Sequence, residues 1–324
     1  VKNPKITYNK GLWAIEIDAA QKPVKGIFCV KKIRIMEHKI KKGSYILMVL
    51  SDKSGEINSV FWNYEPEITG YLKSGDFLKV RGITVIHNTR VQLRVDKLTK
   101  IDESDVEVED FIPQGTVDPD LLEQEIRDLL DTLKDEDHKK LASLFFDDPE
   151  FMKKFKIAPA AMNWHHSYAG GLMEHSLNVA RICEYIQKIY PIAVRDTLIL
   201  GALLHDIGKI HELSSGPAFE YTDPGRLIGH ISMGYSMFET AVSKMDEIPR
   251  DLKFKISHII LSHHGVPEFG SPKRPKTMEA MIVRCADDLD AQTAGFSKVI
   301  SEGLNTELNW SEPIGVLQRP VYLK

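Results

Sequence analysis

The stretch 201-GALLHDIGKI-210 sets His205 and Asp206 side by side where an apolar helix runs out at Gly208. A helix interior rarely ends in a bare His-Asp pair, because two unpaired polar heads buried there cost several kcal/mol. A bound divalent cation would remove that cost. Working outward, the C-terminal half supplies more metal-ligating groups at helical spacings. The N-terminal third has a different character, that of a small basic β-module.

The chain has 324 residues, enough for two domains each with its own core. Its apolar content is that of an ordinary globular protein, and no apolar run approaches the roughly 18–20 residues needed to span a bilayer. No signal-like apolar segment stands at its first residue, so the expectation is a cytoplasmic protein with no membrane partner. Cys29, Cys183 and Cys285 are far apart and form no CxxC pair, which excludes a zinc ribbon and leads us to expect buried thiols.

The net charge of −4 hides an asymmetry. Residues 1–100 carry 19 Lys+Arg against 9 Asp+Glu, a balance of +10; the remainder carries 42−19=23 basic and 46−9=37 acidic residues, or −14. A basic module on an acidic body fits either a polyanion-binding attachment or a solvated lysine-rich surface.

Within the basic module, Val24–Glu37, Tyr45–Ser51, Glu56–Trp62, Asp76–His87 and Val91–Leu98 read as strands. A turn is expected at Asp52–Gly55, another at Asn88-Thr89, and an irregular link with room for a short helix over Asn63–Ser74. Five strands with a connecting segment between the third and fourth match the order of an OB-fold barrel, assigned to residues 12–100. Such barrels bind single-stranded nucleic acid on aromatic faces beside a cationic groove. The stacking candidates are Phe28, Tyr45, Phe61, Trp62 and Tyr64, each of which could instead fill the core; Lys31, Lys32, Arg34, Lys79, Arg81 and Arg94 could meet phosphate. Phe61 and Trp62 cannot both point inward on a regular strand, so one of them should be exposed.

Residues 101–117 are acidic, punctuated by Pro113 and Gly115, and read as an interdomain linker. Asp118-Pro119 then opens a helix, Asp as N-cap and Pro at N1. Further helices are expected near Glu136–Phe146 and Pro149–Phe155, and the pattern stays helical through residue 310. The fold class is therefore an all-β barrel followed by an all-α bundle.

Ten of the twelve histidines lie beyond residue 100, most near apparent helix ends. His175 lies one turn inside the helix Gly171–Tyr190. The next helix, about Asp196–Asp206, should pack antiparallel to it, so that His175 and His205 can meet at one end of the pair. His230 opens a helix after Gly229, and His263-His264 close the helix Asp251–His264. Asp287 interrupts an otherwise apolar face of the final helix, Thr277–Lys298, and needs a partner there. One histidine at a helix end is usually a cap or a surface residue; five with two aspartates are not so easily dismissed.

The ordered set His175, His205-Asp206, His230, His263-His264, Asp287 resembles the HD superfamily of metal-dependent phosphohydrolases. More closely, 165-HHSYAGGLMEHSLNVA-180, 203-LLHDIGK-209, 229-GHI-231, 261-LSHHGVPEFGSP-272 and 286-ADDLDAQ-292, together with the barrel, resemble the YhaM-type 3′-5′ exoribonucleases over about residues 12–310. Gln292, where a lysine is common, is a departure that touches no ligand position.

The resemblance implies one metal on His175, His205, Asp206 and Asp287, with Asp206 bridging to a second on His230, His263 and His264. Such a His/carboxylate set suits Mn²⁺ best, with Fe²⁺ or Zn²⁺ as alternatives. His205 and Asp206 would then be catalytic. Lys209 would act on the phosphate or leaving group, or serve only as a helix-terminal cation. His165 and His166 would touch substrate or play a structural part. The implied activity is exonucleolytic hydrolysis of single-stranded RNA, or of DNA, and a homo-oligomer stays open. Two rival readings are a nucleotide or cyclic-nucleotide phosphohydrolase and a non-catalytic OB-fold RNA-binding protein with a structural metal.

Overall fold

The computed structural model describes residues 8–38, 42–65, 70–87, 90–245, 248–303 and 308–324. The chain divides into two compact units, one running to Gln114 and taking in Gly216–Phe219, the other comprising Gly115–Ser215 and Glu220–Lys324.

In the first unit, strands β1 (Pro23–Glu37), β2 (Ser44–Asp52), β3 (Gly55–Tyr64), β4 (Phe77–His87) and β5 (Arg90–Ile101) close a barrel in the order β1-β2-β3-β5-β4. All pairs are antiparallel except β3–β5, whose parallel pairing closes the barrel. Alternation along the strands sends Val24, Phe28, Val30, Ile46, Met48, Leu50, Leu93 and Val95 inward. The turn expected at Asn88-Thr89 and part of the link over Asn63–Ser74 lie outside the described residues.

The segment read as an acidic linker is folded. β5 runs on to Ile101, and short 3₁₀ turns follow at Glu103–Asp105 and Val108–Asp110. Phe111 is then fully buried with Ile27, Cys29 and Phe77, while Asp110 pairs with Lys53 at 2.6 Å. One buried aromatic ring is enough to tie this stretch to the barrel.

Ten α-helices make up the second unit among its described residues: α1 (Pro119–Asp131), α2 (Glu136–Phe146), α3 (Pro149–Phe155), α4 (Gly171–Ile189), α5 (Arg195–Leu204), α6 (Lys209–Glu212), α7 (Asp223–Ile228), α8 (His230–Val242), α9 (Arg250–Ser262) and α10 (Met278–Gly303). Asp118, Asp135 and Asp148 cap α1, α2 and α3 by accepting from backbone N–H groups of the first turn. Helix α5 is buried all round, from Asp196 to Leu204, and packs against α2, α4, α9 and α10. Gly201 permits the α9 approach, since a Cβ there would lie 2.4 Å from Ile259 Cδ1. This central helix delivers His205 and Asp206 into the bundle.

After α10 the chain turns back through the bridge Trp310↔Tyr322 and buries Val321 and Leu323, a stretch whose sequence gave no periodic signal. Cys29 and Cys183 are buried as expected, but Cys285 is exposed, on the outer side of α10 beside Met281. No helix among the described residues is long and apolar enough to cross a membrane.

Candidate metal centre

Helices α4, α5, α8, α9 and α10 bring seven side chains to one place. His175 comes from the second turn of α4, and His205 and Asp206 from the C-terminal end of α5. His230 is the first residue of α8, His263 and His264 follow α9, and Asp287 comes from α10. Their ligand atoms form two groups, each within 4.8 Å: His175, His205, Asp206 and Asp287; and Asp206, His230, His263 and His264. Asp206 belongs to both. Its Oδ2 faces His175 and His205 Nε2 at 3.5 and 3.4 Å, and its Oδ1 faces His230 and His263 Nε2 at 3.4 and 3.3 Å.

Every imidazole is held by its other nitrogen. Nδ1 lies 2.7 Å from the Ala202 carbonyl in His205, 2.8 Å from the Ile260 carbonyl in His263 and 2.7 Å from the Phe269 carbonyl in His264. In His175 and His230 the Nδ1 partner is a carboxylate, Asp290 Oδ2 at 2.7 Å and Glu212 Oε1 at 2.9 Å. Carbonyls and carboxylates only accept, so each Nδ1 carries the hydrogen. A ring that is neutral at Nε2 then offers a lone pair on the side of the carboxylates, the form in which it would hold a cation.

Lone pairs facing carboxylate oxygens demand something positive between them. Asp206 Oδ1 and Oδ2, His230 Nε2 and His263 Nε2 are buried without a hydrogen-bond partner among the described residues. Lys209 Nζ stands 2.5 Å from Asp206 Oδ2 as an ion pair, but outside hydrogen-bond geometry. A cation in each group would satisfy these atoms, so the residues fit divalent metal.

The electrostatics agree. Burial alone would raise Asp206, yet the Lys209 ammonium and the imidazoles hold its carboxyl well below the usual range; Asp287 is held down by His175 and His205 against the same penalty. Burial pushes His175 and His205 down, but the facing carboxylates prevail, leaving His175 well above its ordinary value and His205 at about 9. His263 and His264, where burial prevails, are lowered. Asp206, His175, His205 and His263 are buried, whereas His230, His264 and Asp287 keep partial exposure, leaving access from their side.

Lys209 lies in the single turn of a four-residue helix. It begins α6, is buried, and has its pKa raised because Asp206 outweighs the burial penalty. His165 has both ring nitrogens buried without a hydrogen-bond partner among the described residues, and burial lowers its pKa to about 3. His166 does not match the reading as a substrate contact. Its Nδ1 meets Tyr168 Oη at 2.8 Å and its Nε2 meets Asp290 Oδ2 at 2.8 Å, so both ring nitrogens are engaged inside the fold.

Asp290 and Glu212 were not singled out from the sequence. Asp290 lies three residues after Asp287, hence on the same helix face, a signal that was present. Glu212 reaches His230 across eighteen residues and had no local signature.

On the barrel, Trp62 is 46% exposed and Phe61 packs against the core, which resolves the alternation argument in favour of Trp62. Phe28 and Tyr64 are buried in the core. Trp62 stacks with Tyr45 and His38, centroids 4.8 and 6.1 Å away, making an aromatic surface where β1, β2 and β3 adjoin. Lys31 does not match the reading as a phosphate contact: it is buried and paired with Glu56 at 2.5 Å. Lys32, Arg34, Arg81 and Arg94 are exposed, with Arg94 3.7 Å from Asp96.

The family model for the HD domain matches residues 172–292, and that for an OB-fold nucleic acid binding domain matches residues 30–101. The chain thus joins an OB-fold nucleic acid binding domain to an HD domain, the fold of a superfamily of metal-dependent phosphohydrolases. Among solved structures, it is similar to the second OB-fold domain of replication protein A from Methanococcus maripaludis, at 23% identity over 26% of this chain and 89% of that one, with a TM-score of 0.20. It is also similar to aspartyl tRNA synthetase from Entamoeba histolytica, at 12% identity over 56% of this chain, with a TM-score of 0.24. It spans 38% of the synthetase's length.

Proposed function

We propose that this protein is a 3′-5′ exoribonuclease of the YhaM type, hydrolysing single-stranded RNA at a two-metal centre. The observation that carries the reading is Asp206, which turns one oxygen to each of two ligand groups. His175, His205 and Asp287 complete the first group and His230, His263 and His264 the second. Mn²⁺ suits this set best, with Fe²⁺ and Zn²⁺ as alternatives. Held by these residues, paired divalent cations would supply an activated water and charge stabilisation for the phosphoryl oxygens.

This chain's own groups do the rest. Lys209 is fixed at the edge of the centre by Asp206 and is placed to donate to a phosphoryl oxygen or to protonate the leaving oxygen as the P–O bond breaks. His165 is neutral at working pH, with both ring nitrogens unpartnered, and serves as a hydrogen-bonding contact to substrate. On the barrel, Trp62, Tyr45 and His38 offer bases a stacking surface, and Lys32, Arg34, Arg81 and Arg94 are exposed cations of the same unit. That module favours a polymer over a free nucleotide.

The test is incubation of 3′-labelled and 5′-labelled RNA oligomers with the full chain, with and without Mn²⁺. Stepwise shortening from the 3′ end with mononucleotide release is expected, and only with metal. An intact oligomer beside hydrolysed nucleotides would make the protein a nucleotide phosphohydrolase instead. Asp206→Asn should abolish turnover while leaving oligomer binding unchanged.

A further inference from the structure

Three of the five converging histidines are oriented by backbone carbonyls, and one in each ligand group is oriented by a buried carboxylate. In the first group Asp290 Oδ2 takes His175 Nδ1 at 2.7 Å. In the second, Glu212 Oε1 takes both the backbone N–H and Nδ1 of His230, at 2.8 and 2.9 Å. Neither carboxylate belongs to the two ligand groups that share Asp206; Asp290 gathers instead with His166 and His175.

The two are built in differently. Asp290 sits one turn beyond Asp287 on α10, so a single helix carries both a facing carboxylate and the group that orients His175. The same Oδ2 also takes His166 Nε2 at 2.8 Å, and His166 is braced by Tyr168 Oη, which donates to Glu174 Oε2 at 2.8 Å. The His166 backbone is fixed as well. It adopts φ 43°, its carbonyl accepts from Ala160 N, and a Cβ on Gly171 would fall 1.9 Å from that carbonyl. Glu212 ends the short helix α6 that Lys209 opens, and its backbone carbonyl accepts from Thr222 N.

We infer that Asp290 and Glu212 are positioning residues that set the two halves of the centre separately, Asp290 through His175 and Glu212 through His230. This rests on the two-metal reading above. A carboxylate on Nδ1 fixes tautomer and ring orientation and makes Nε2 a stronger donor than a carbonyl does; losing such a partner typically costs about 10- to 100-fold in metal affinity. Because the two carboxylates touch different histidines, each loss should fall on one ion.

The experiment is equilibrium binding of Co²⁺ to the metal-free full chain, by calorimetry and by chelator competition, with thermal melting of each metal-free variant alongside. Wild type should take up two ions. In a His230→Ala background, which retains the first half, Asp290→Ala should weaken the remaining ion about 10- to 100-fold and Glu212→Ala should leave it unchanged. In a His175→Ala background the pattern should reverse. Asp290→Asn, which keeps an acceptor oxygen for Nδ1, should recover part of the loss. A merely structural role would lower the melting temperature and weaken both ions together, without rescue by Asn, and would overturn the assignment. Equal losses in both backgrounds, or none, would do the same. Wild type that binds fewer than two ions would sink the two-metal reading itself, a result separable from the others because it appears before any carboxylate is changed.

Discussion

Lys209 holds its ammonium 2.5 Å from Asp206 Oδ2, the carboxylate oxygen that also faces His175 and His205. The ammonium therefore competes for the oxygen that a cation in the first ligand group would use. Two consequences of opposite sign follow for Lys209→Ala. Metal affinity of that group should rise or hold, since a competing charge is gone. Turnover at saturating metal should fall about 10²- to 10³-fold, the usual loss when one preorganised donor to a developing oxyanion is removed. Single-turnover RNA cleavage beside a metal titration checks both. Unchanged turnover would reduce Lys209 to a counter-ion of Asp206.

Metal loading should release protons. In the metal-free fold, burial disfavours the charged His205, yet Asp206 and Asp287 hold it at about 9. At pH 7 the ring carries a proton that a cation must displace, so apparent affinity should climb with pH and level off above about 9. Stability of the metal-free protein runs the other way. A pKa raised from 6.5 to about 9 gives a contribution complete below 6.5 and lost as pH rises through 9. Calorimetry in buffers of different ionisation heat, with melts from pH 6 to 10, measures both. Affinity that is flat across this range would contradict the geometry.

Six of the seven residues that converge were legible because they interrupt a pattern: His205-Asp206 where α5 ends, His230 after Gly229, His263-His264 beyond α9, and Asp287 inside an apolar stripe of α10. Convergence itself was only permitted by the spacing; the burial of α5 on all sides brings these ends together. What stayed hidden depended on partners distant in sequence. Lys31 looks like Lys32 until Glu56 is found across the barrel, and Glu212 looks like a surface acid until His230 folds onto it. In the acidic stretch, Ile101, Val106, Val108 and Phe111 are the apolar residues that anchor it.

The barrel surface makes a separable prediction. Trp62→Ala should weaken binding of a single-stranded oligomer by about 1–3 kcal/mol, roughly 5- to 150-fold, the range for loss of one stacked base. Phe61→Ala should lower thermal stability instead, because that ring packs inward. Arg34→Gln should flatten the salt dependence of binding, while Lys31→Gln should leave it nearly unchanged, its charge being spent on Glu56. Fluorescence anisotropy at several salt concentrations discriminates these. Equal effects of the Lys31 and Arg34 changes would place the nucleic-acid path elsewhere on the barrel.

Gly208 tests whether the second ligand group depends on how closely α6 approaches α8. A Cβ at Gly208 would fall 2.0 Å from the His230 carbonyl oxygen and 2.6 Å from Gly234 N. Both are backbone atoms, so no side-chain rotation relieves the clash, and the start of α8 must move. At Gly234, across the same contact, an added Cβ would come no nearer than 3.2 Å to its neighbours, which requires a shift of only a few tenths of an ångström. Gly208→Ala should therefore cost about 1–3 kcal/mol or more in stability and displace His230 from Asp206. Gly234→Ala should be far milder. In calorimetric titrations with Co²⁺, Gly208→Ala should lose one of two binding events, the one that also disappears in His230→Ala. The reverse ranking, with Gly234→Ala the more damaging, would mean that the approach of α6 to α8 does not set His230.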